Sequence, residues 1–277
     1  MSTPLPSILP PSATGATYIH GHHDSVLRAH SWRTVDNSAA YLIPHLAAGV
    51  TLLDVGSGPG TITSDLAARV APGRVIGVDA AESIVALTNA QAADVSNLSY
   101  ETGDATALRF DDDSFDIVHA HQVLQHLPDP IAALREFRRV TKPGGIVAAR
   151  DVDYVGAIWF PASSGLDRWM ELYQNVARAN SGEPNAGRRL KSWARQAGFT
   201  DVQATASIWA FTNDVDRQWW GGAWAERVLE SHFAVSALRL GFATPTELQE
   251  LSSAWLRWAD DPDGTFLMPH GEIIARA

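Results

Sequence analysis

The chain has 277 residues, 45% of them hydrophobic and 19% charged, enough for one large globular domain or two small ones. It contains no cysteine, which excludes disulfides, thiolate nucleophiles and cysteine-based metal sites. A formal net charge of −10 repels phosphate backbones and anionic membranes, so nucleic acid is not expected as a partner, and no apolar run approaches the length of about 18 residues that a membrane span needs.

Residues 1–14 are rich in Pro and Ser and lack apolar periodicity, as in a disordered tail. They also lack the basic start and apolar core of a secretion signal, so a cytoplasmic location is expected. Between Tyr18 and Leu46, Val26, Leu27, Trp32, Ala39, Leu42 and Ile43 recur among polar residues, predicting one or two amphipathic helices. From Thr51 to Asp153 short apolar runs alternate with helical patterns, which predicts a parallel sheet covered by helices. The strands are Thr51–Val55, Arg74–Asp79, Leu98–Glu101, Phe115–Ala120 and Ile146–Val152. Helical faces between them carry Ile62, Leu66 and Val70, then Ile84 and Leu87, then Ile131, Leu134 and Phe137 over Pro130–Val140. Lys142-Pro143-Gly144-Gly145 reads as a turn into the fifth strand. Arg135, Arg138 and Arg139 form the only dense basic stretch and read as a solvated helix face.

Past Asp153 the texture changes. Leu166, Trp169, Met170, Tyr173 and Val176 make one amphipathic face; Leu190, Trp193 and Ala197 make another, stopped by Gly198. Val202–Phe211 is strand-like, and two helices follow, over about Val215–Leu240 and Pro245–Ala259. The second has Thr244 as its cap, Pro245 in the first turn and Glu247 completing a capping box. Phe266–Ala275 predicts a last strand, with Pro269 pointing to an irregular or exposed stretch.

The chemistry begins at Gly56-Ser57-Gly58-Pro59-Gly60, placed between a strand and a helix. Glycines there let the backbone turn tightly and approach a ligand, while the helix start offers unpaired N–H groups. The dinucleotide-binding form of such a loop needs glycine at its first, third and sixth positions, and the sixth here is Thr61. No Gly-Lys-Ser/Thr follows, which removes the phosphate loop of nucleotide hydrolases. Asp79 ends the second strand, where a carboxylate can accept both hydroxyls of a ribose. Gly103-Asp104-Ala105, Phe115-Asp116-Ile117-Val118 and Pro143-Gly144-Gly145 complete a series of five motifs. Each acid also has a plain structural reading: Asp79 as a helix cap, Asp104 as a turn former, Asp116 as a strand-start anchor.

These five motifs in this order resemble the class I S-adenosylmethionine-dependent methyltransferases, most of all the branch of the ubiquinone/menaquinone-biosynthesis methyltransferases, over about residues 45–153. The resemblance implies a Rossmann-like, doubly wound α/β sheet, mostly parallel with an antiparallel last strand, N-terminal lid helices and a helical cap inserted before the last strand. It implies a single methyltransferase domain over 15–277, with lid helices over 15–47, a cofactor core over 48–153 and substrate-side helices over 154–277. The cofactor it implies is S-adenosyl-L-methionine, released as S-adenosyl-L-homocysteine. The glycine loop, through Gly56, Ser57, Gly58 and Gly60, would wrap the methionine part. Asp79 with Ala80 would hold the ribose and Asp104 with Ala105 the adenine. Asp54 would orient the loop and the cofactor's amino group. His121 and Gln122 would lie beside the methionine moiety, and Tyr18, His30, Arg33 and Thr34 would reach down from the lid.

His20, His22 and His23, and again His119, His121 and His126, cluster in the sequence. Neither group has a helical ligand pair with a supporting carboxylate, so no metal site is expected. His121 and His126 are candidates for a general base, set against a packing role for His126. Nine of the ten tryptophans lie beyond residue 150, either as core or as the wall of an apolar substrate cavity, with Tyr154 and Trp159 as candidate pocket residues. The expected reaction is methyl transfer to an O, N or C nucleophile of a small apolar or aromatic molecule. A non-methylating rearrangement or cyclisation on the same cofactor, and a NAD-dependent dehydrogenase, stay as alternatives. Monomer and homodimer are both open.

Overall fold

The computed structural model describes residues 32–277. Tyr18, His20, His22, His23 and His30, and the 1–14 tail, lie outside the described residues.

The strands are β1 (Leu52–Val55), β2 (Val75–Asp79), β3 (Leu98–Thr102), β4 (Phe115–His121), β5 (Thr141–Val152), β6 (Ile158–Phe160), β7 (Asp201–Phe211) and β8 (Thr265–Arg276). They form one sheet in the order β3-β2-β1-β4-β5-β8-β6, with β7 paired along the other edge of β8. The first five are parallel and β8 runs antiparallel to β5, β6 and β7. The helices are α1 (Val35–Ser38), α2 (Thr61–Val70), α3 (Glu82–Gln91), α4 (Pro130–Val140), α5 (Ser164–Ala179), α6 (Leu190–Gln196), α7 (Asp214–Glu230), α8 (His232–Arg239) and α9 (Pro245–Asp260).

Strand alternation assigns the two faces. Leu52, Val75, Ile117, Ile146 and Ala148 point to the side where Ile62, Leu66 and Val70 of α2 and Val35 of α1 are buried. Their neighbours Leu53, Ile76, Val118, Val147 and Ala149 point to the other side, against Leu134 and Phe137 of α4 and Leu190 and Trp193 of α6. The sheet is therefore wound on both faces, as the alternating pattern of residues 51–153 requires. A third core fills the cap: Trp169, Tyr173, Trp224, Phe233, Trp255 and Phe266, all 1% exposed or less, join α5, α7, α8 and α9 to the ends of β7 and β8.

Several elements depart from the sequence reading. The helix placed at Val215–Leu240 is broken at Ser231, whose backbone ends α7 and whose hydroxyl accepts from Phe233 N to start α8. Lys142–Gly145 is not a free turn. Thr141 already pairs with Phe115, and the four residues bulge before Ile146 resumes the ladder opposite Ile117. Strand β6 went unread. Pro269 sits inside a continuous strand paired on both edges, neither irregular nor exposed. Its carbonyl accepts from Asp153 N, which fixes the direction its missing N–H would take: towards the junction of β5 and β6, where no ladder bond is lost. The basic stretch is not simply solvated. Arg139 donates to Glu136, Asp112 and the carbonyls of Leu108 and Phe110, and Arg138 lies over the Phe199 ring. Among the described residues no helix is long and apolar enough to cross a membrane.

Candidate active site

The parallel strands β1, β2 and β4 end side by side, and the glycine loop rises from the first of them. Gly56, Gly58 and Gly60 have φ of +73°, +51° and +81°, left-handed values that a residue with a Cβ resists. A Cβ at Gly56 would strike Val123, and one at Gly60 would strike the Tyr100 hydroxyl. The loop is tied to β2 because Gly56 N and Ser57 N both donate to Val78 O. Asp79 completes the tie: its two carboxylate oxygens accept from Gly58 N at 2.9 Å and Ala81 N at 3.0 Å. Beside it, Ala80 is exposed. Ser57 Oγ is buried with no hydrogen-bond partner among the described residues, so the loop presents an unused polar atom inside a cradle too tight for side chains. These features fit the amino-acid end of S-adenosylmethionine.

Asp104 forms a local turn, its Oδ1 accepting from the backbone and hydroxyl of Thr106 at 2.8 Å, and Ala105 is half-buried against the α4 side. Asp54 is buried, with one oxygen held by His119 Nδ1 at 2.7 Å and the other by Thr63 Oγ1 at 2.6 Å. It thus locks β1, β4 and the first turn of α2 together beneath the loop. Asp116 anchors the opposite end of the sheet, accepting from Thr51 and from Lys142 Nζ at 2.8 Å.

Past β4 the structure assembles something that the sequence did not announce. Cross-strand partners point to one face, and the registers Asp54↔His119, His121↔Arg150↔Glu272↔Thr205 and His270↔Ser207 lay a polar row across β1, β4, β5, β8 and β7. Arg150, 1% exposed, donates from Nε to Ser207 Oγ at 3.1 Å and Glu272 Oε1 at 3.2 Å. His270 Nδ1 lies 3.0 Å from Met268 O and must donate to it, so its Nε2 accepts from Gln122 Nε2 at 2.9 Å. Gln122 Oε1 in turn accepts from Arg33 at 2.9 Å. Gln122 holds this place with φ +54°. Residues 32–46 cover the row: Trp209 Nε1 donates to Asn37 O at 2.7 Å, and Trp32 packs edge-on to Trp209 at 5.3 Å.

His121 is 6% exposed, and neither ring nitrogen has a partner among the described residues. Burial, with the Arg150 and Arg33 charges behind it, holds its pKa well below the ordinary histidine value, so the ring is neutral. His126 is separate: it lies in the one-turn helix Leu124–His126, with Nε2 3.0 Å from Gln125 Nε2, against Tyr173 and Asn180, and burial brings it down to about 3. Thr34 is exposed and its hydroxyl accepts from Asn37 N, capping α1. Tyr154 is 5% exposed and its ring lies 3.9 Å from Tyr173, inside the cap core. Trp159 stacks on Phe266 from the edge strand β6. Trp169, Trp224 and Trp255 pack edge-to-face or stacked on one another at 4.6–5.8 Å as core. Tyr41, Arg150, His270 and Glu272 were missed, while His119 was weighed only within a histidine cluster and Trp209 only as one of nine tryptophans. The available signal was period-two polar spacing, Thr205-x-Ser207-x-Trp209 and His270-x-Glu272, and one arginine inside the apolar strand Ile146–Val152. Among the described residues no three of His, Asp or Glu converge as metal ligands.

Comparison with known proteins agrees with this geometry. The sequence pattern of the family described as methyltransferase domain matches residues 53–149. An uncharacterized methyltransferase of Schizosaccharomyces pombe is 35% identical over 93% of this chain and 95% of its own length. The likeness to the demethylmenaquinone methyltransferase of Staphylococcus aureus is narrower, 40% identity over 36% of this chain and 42% of that one. In fold, the YcgJ protein of Bacillus subtilis superposes with a TM-score of 0.56, at 20% identity, over 90% of this chain and 98% of that one. The glycine cradle, the mixed sheet and the full-length relative have one meaning: this chain belongs to the class I S-adenosylmethionine-dependent methyltransferase family.

Proposed function

We propose that this methyltransferase acts on a small apolar or aromatic molecule, at an oxygen, nitrogen or carbon nucleophile bound between the glycine loop and the polar row. The observation that carries this reading is His121, a neutral buried imidazole at the end of β4 with both nitrogens unengaged. S-adenosylmethionine, when bound, supplies a methyl group on a positively charged sulfur. Gly56, Ser57, Gly58 and Gly60 would hold its methionine part, Asp79 with Ala80 its ribose, and Asp104 with Ala105 its adenine. Gln122, fixed between Arg33 and His270, would present its surroundings to the methionine carboxylate.

His121 takes the proton from the acceptor's O–H or N–H onto its free nitrogen lone pair. His126 is the less suited of the two, because its Nε2 is already engaged with the Gln125 side-chain amide. The residues over the site, Trp32 and Asn37 among them, exclude water from the row, and alignment in a dry site carries most of the acceleration. The likeness to demethylmenaquinone methyltransferase covers about a third of the chain and supports the donor half of this reading, not a quinone acceptor. The test is incubation with S-adenosyl-L-methionine labelled in its methyl group and a panel of phenols, amines and enolisable ketones. Label in at least one small-molecule product is expected, with turnover reduced roughly 100-fold in His121→Asn, in line with a general base. Intact donor binding with no transfer to any acceptor would contradict the reading.

A further inference from the structure

The row contains an unfinished arrangement of donors. Arg150 Nε is used, but Nη1 and Nη2, which carry four of the five guanidinium N–H groups, have no acceptor among the described residues. Its ion-pair partner does not meet them. Glu272 Oε1 already accepts from Ser207 Oγ and Arg150 Nε, and Oε2 accepts from Thr205 Oγ1 at 2.9 Å. The Tyr41 hydroxyl is likewise enclosed without a partner; burial raises it well above the ordinary tyrosine range, and the Arg150 charge opposes that rise. Buried donors are costly when left unpaired, and here Arg150 and Tyr41, from different parts of the chain, each leave them so.

The chemistry of these donors is specific. A guanidinium whose Nε is occupied offers its two Nη groups as a planar fork, which matches the two oxygens of a carboxylate. The Trp209 ring forms the wall beside it, 4.9 Å from the Arg150 guanidinium carbon, with His121 at 5.7 Å and His270 at 4.3 Å between ring centres. We propose that Arg150 Nη1 and Nη2, with the Tyr41 hydroxyl, form a binding site for a carboxylate on the methyl acceptor, whose body lies against Trp209 with its nucleophile towards His121. This rests on the methyl-transfer reading above and narrows it: the acceptor is an acid.

The test uses the full chain saturated with S-adenosylhomocysteine, titrated calorimetrically with acetate, benzoate and phenylacetate, and with benzamide as the neutral control. At least one carboxylate should bind and benzamide should not. Binding should weaken about tenfold in Tyr41→Phe, the order expected for one hydrogen bond to a charged group. It should vanish in the double variant R150M/E272Q, which removes both buried charges together and spares the fold an unpaired one. S-adenosylhomocysteine affinity should be unchanged in both. Carboxylates that fail to bind, binding equal to that of benzamide, or binding that survives R150M/E272Q would each overturn the proposal, as would a crystal structure with the bound carboxylate away from the Nη groups. Failure of S-adenosylhomocysteine itself to bind would instead overturn the methyl-donor reading, so the two failures are distinguishable.

Discussion

At Gly60 the backbone sits at φ +81° with the Tyr100 hydroxyl where a side chain would go, and Tyr100 OH donates to the Gly60 carbonyl at 3.2 Å. Gly60→Ala must bear a left-handed conformation costing about 1–2 kcal/mol and also displace Tyr100. S-adenosylhomocysteine affinity should fall at least about tenfold, with a lower melting temperature, by titration calorimetry and thermal scanning; unchanged affinity would remove the close-approach account of the loop. Asp151 gives a second expectation. It lies on the α4 side of the sheet, wholly buried, and burial pushes its carboxyl from 3.8 up to about 8. The folded chain therefore binds a proton that the unfolded chain releases between those values, so this group's contribution falls as pH rises through the window. Asp151→Asn cannot ionise, and its urea-unfolding free energy should decline less than the wild type's between pH 5 and 8. The glycine loop was legible in the sequence because its residues are contiguous. Arg150 was not, because Ser207 and Glu272, which explain it, stand 57 and 122 residues away.

Element boundaries were legible where a local signal marks them. Helix α4 begins where Asp129 caps it, its side chain accepting from Ala132 N, with Pro130 in the first turn, and α9 begins on the Thr244–Glu247 capping box. The break at Ser231 was hidden because apolar residues continue through it in the sequence at helical spacing, at Leu229, Phe233 and Ala237. Strand β6, three residues long, has too few positions to show alternation and exists by pairing with Leu267, Phe266 and Thr265. The cap is held mainly by aromatic packing. Trp255 is fully buried, edge-on to Trp169 at 4.8 Å and stacked on Trp224 at 5.8 Å, so Trp255→Ala leaves a large cavity between α5, α7 and α9. A loss of about 3–5 kcal/mol is expected from chemical denaturation. A loss under about 1 kcal/mol would mean that these rings line open space instead of filling a core.

Across the whole molecule the sheet separates two tasks. Its parallel half, β3-β2-β1-β4, brings the loop, Asp79, Asp104 and His121 to one end, and that half was readable because β1, β2 and β4 are each followed by a helix. Its antiparallel half, β5-β8-β7, brings residues from three distant stretches to the same end as the polar row. Residues 32–46 join the row through Arg33–Gln122 and Trp209–Asn37 and pack on α2, where Val35 N donates to Asp65. Calorimetric titration of the full chain with S-adenosylhomocysteine, with NAD as the control, should give one site per chain for the former and none for the latter. Asp79→Ala, which removes both the side-chain bond to Gly58 N and the expected ribose partner, should weaken that site at least about 30-fold, as loss of a charged hydrogen-bonding group does. Binding of NAD but not S-adenosylhomocysteine, or undiminished affinity in Asp79→Ala, would contradict the account.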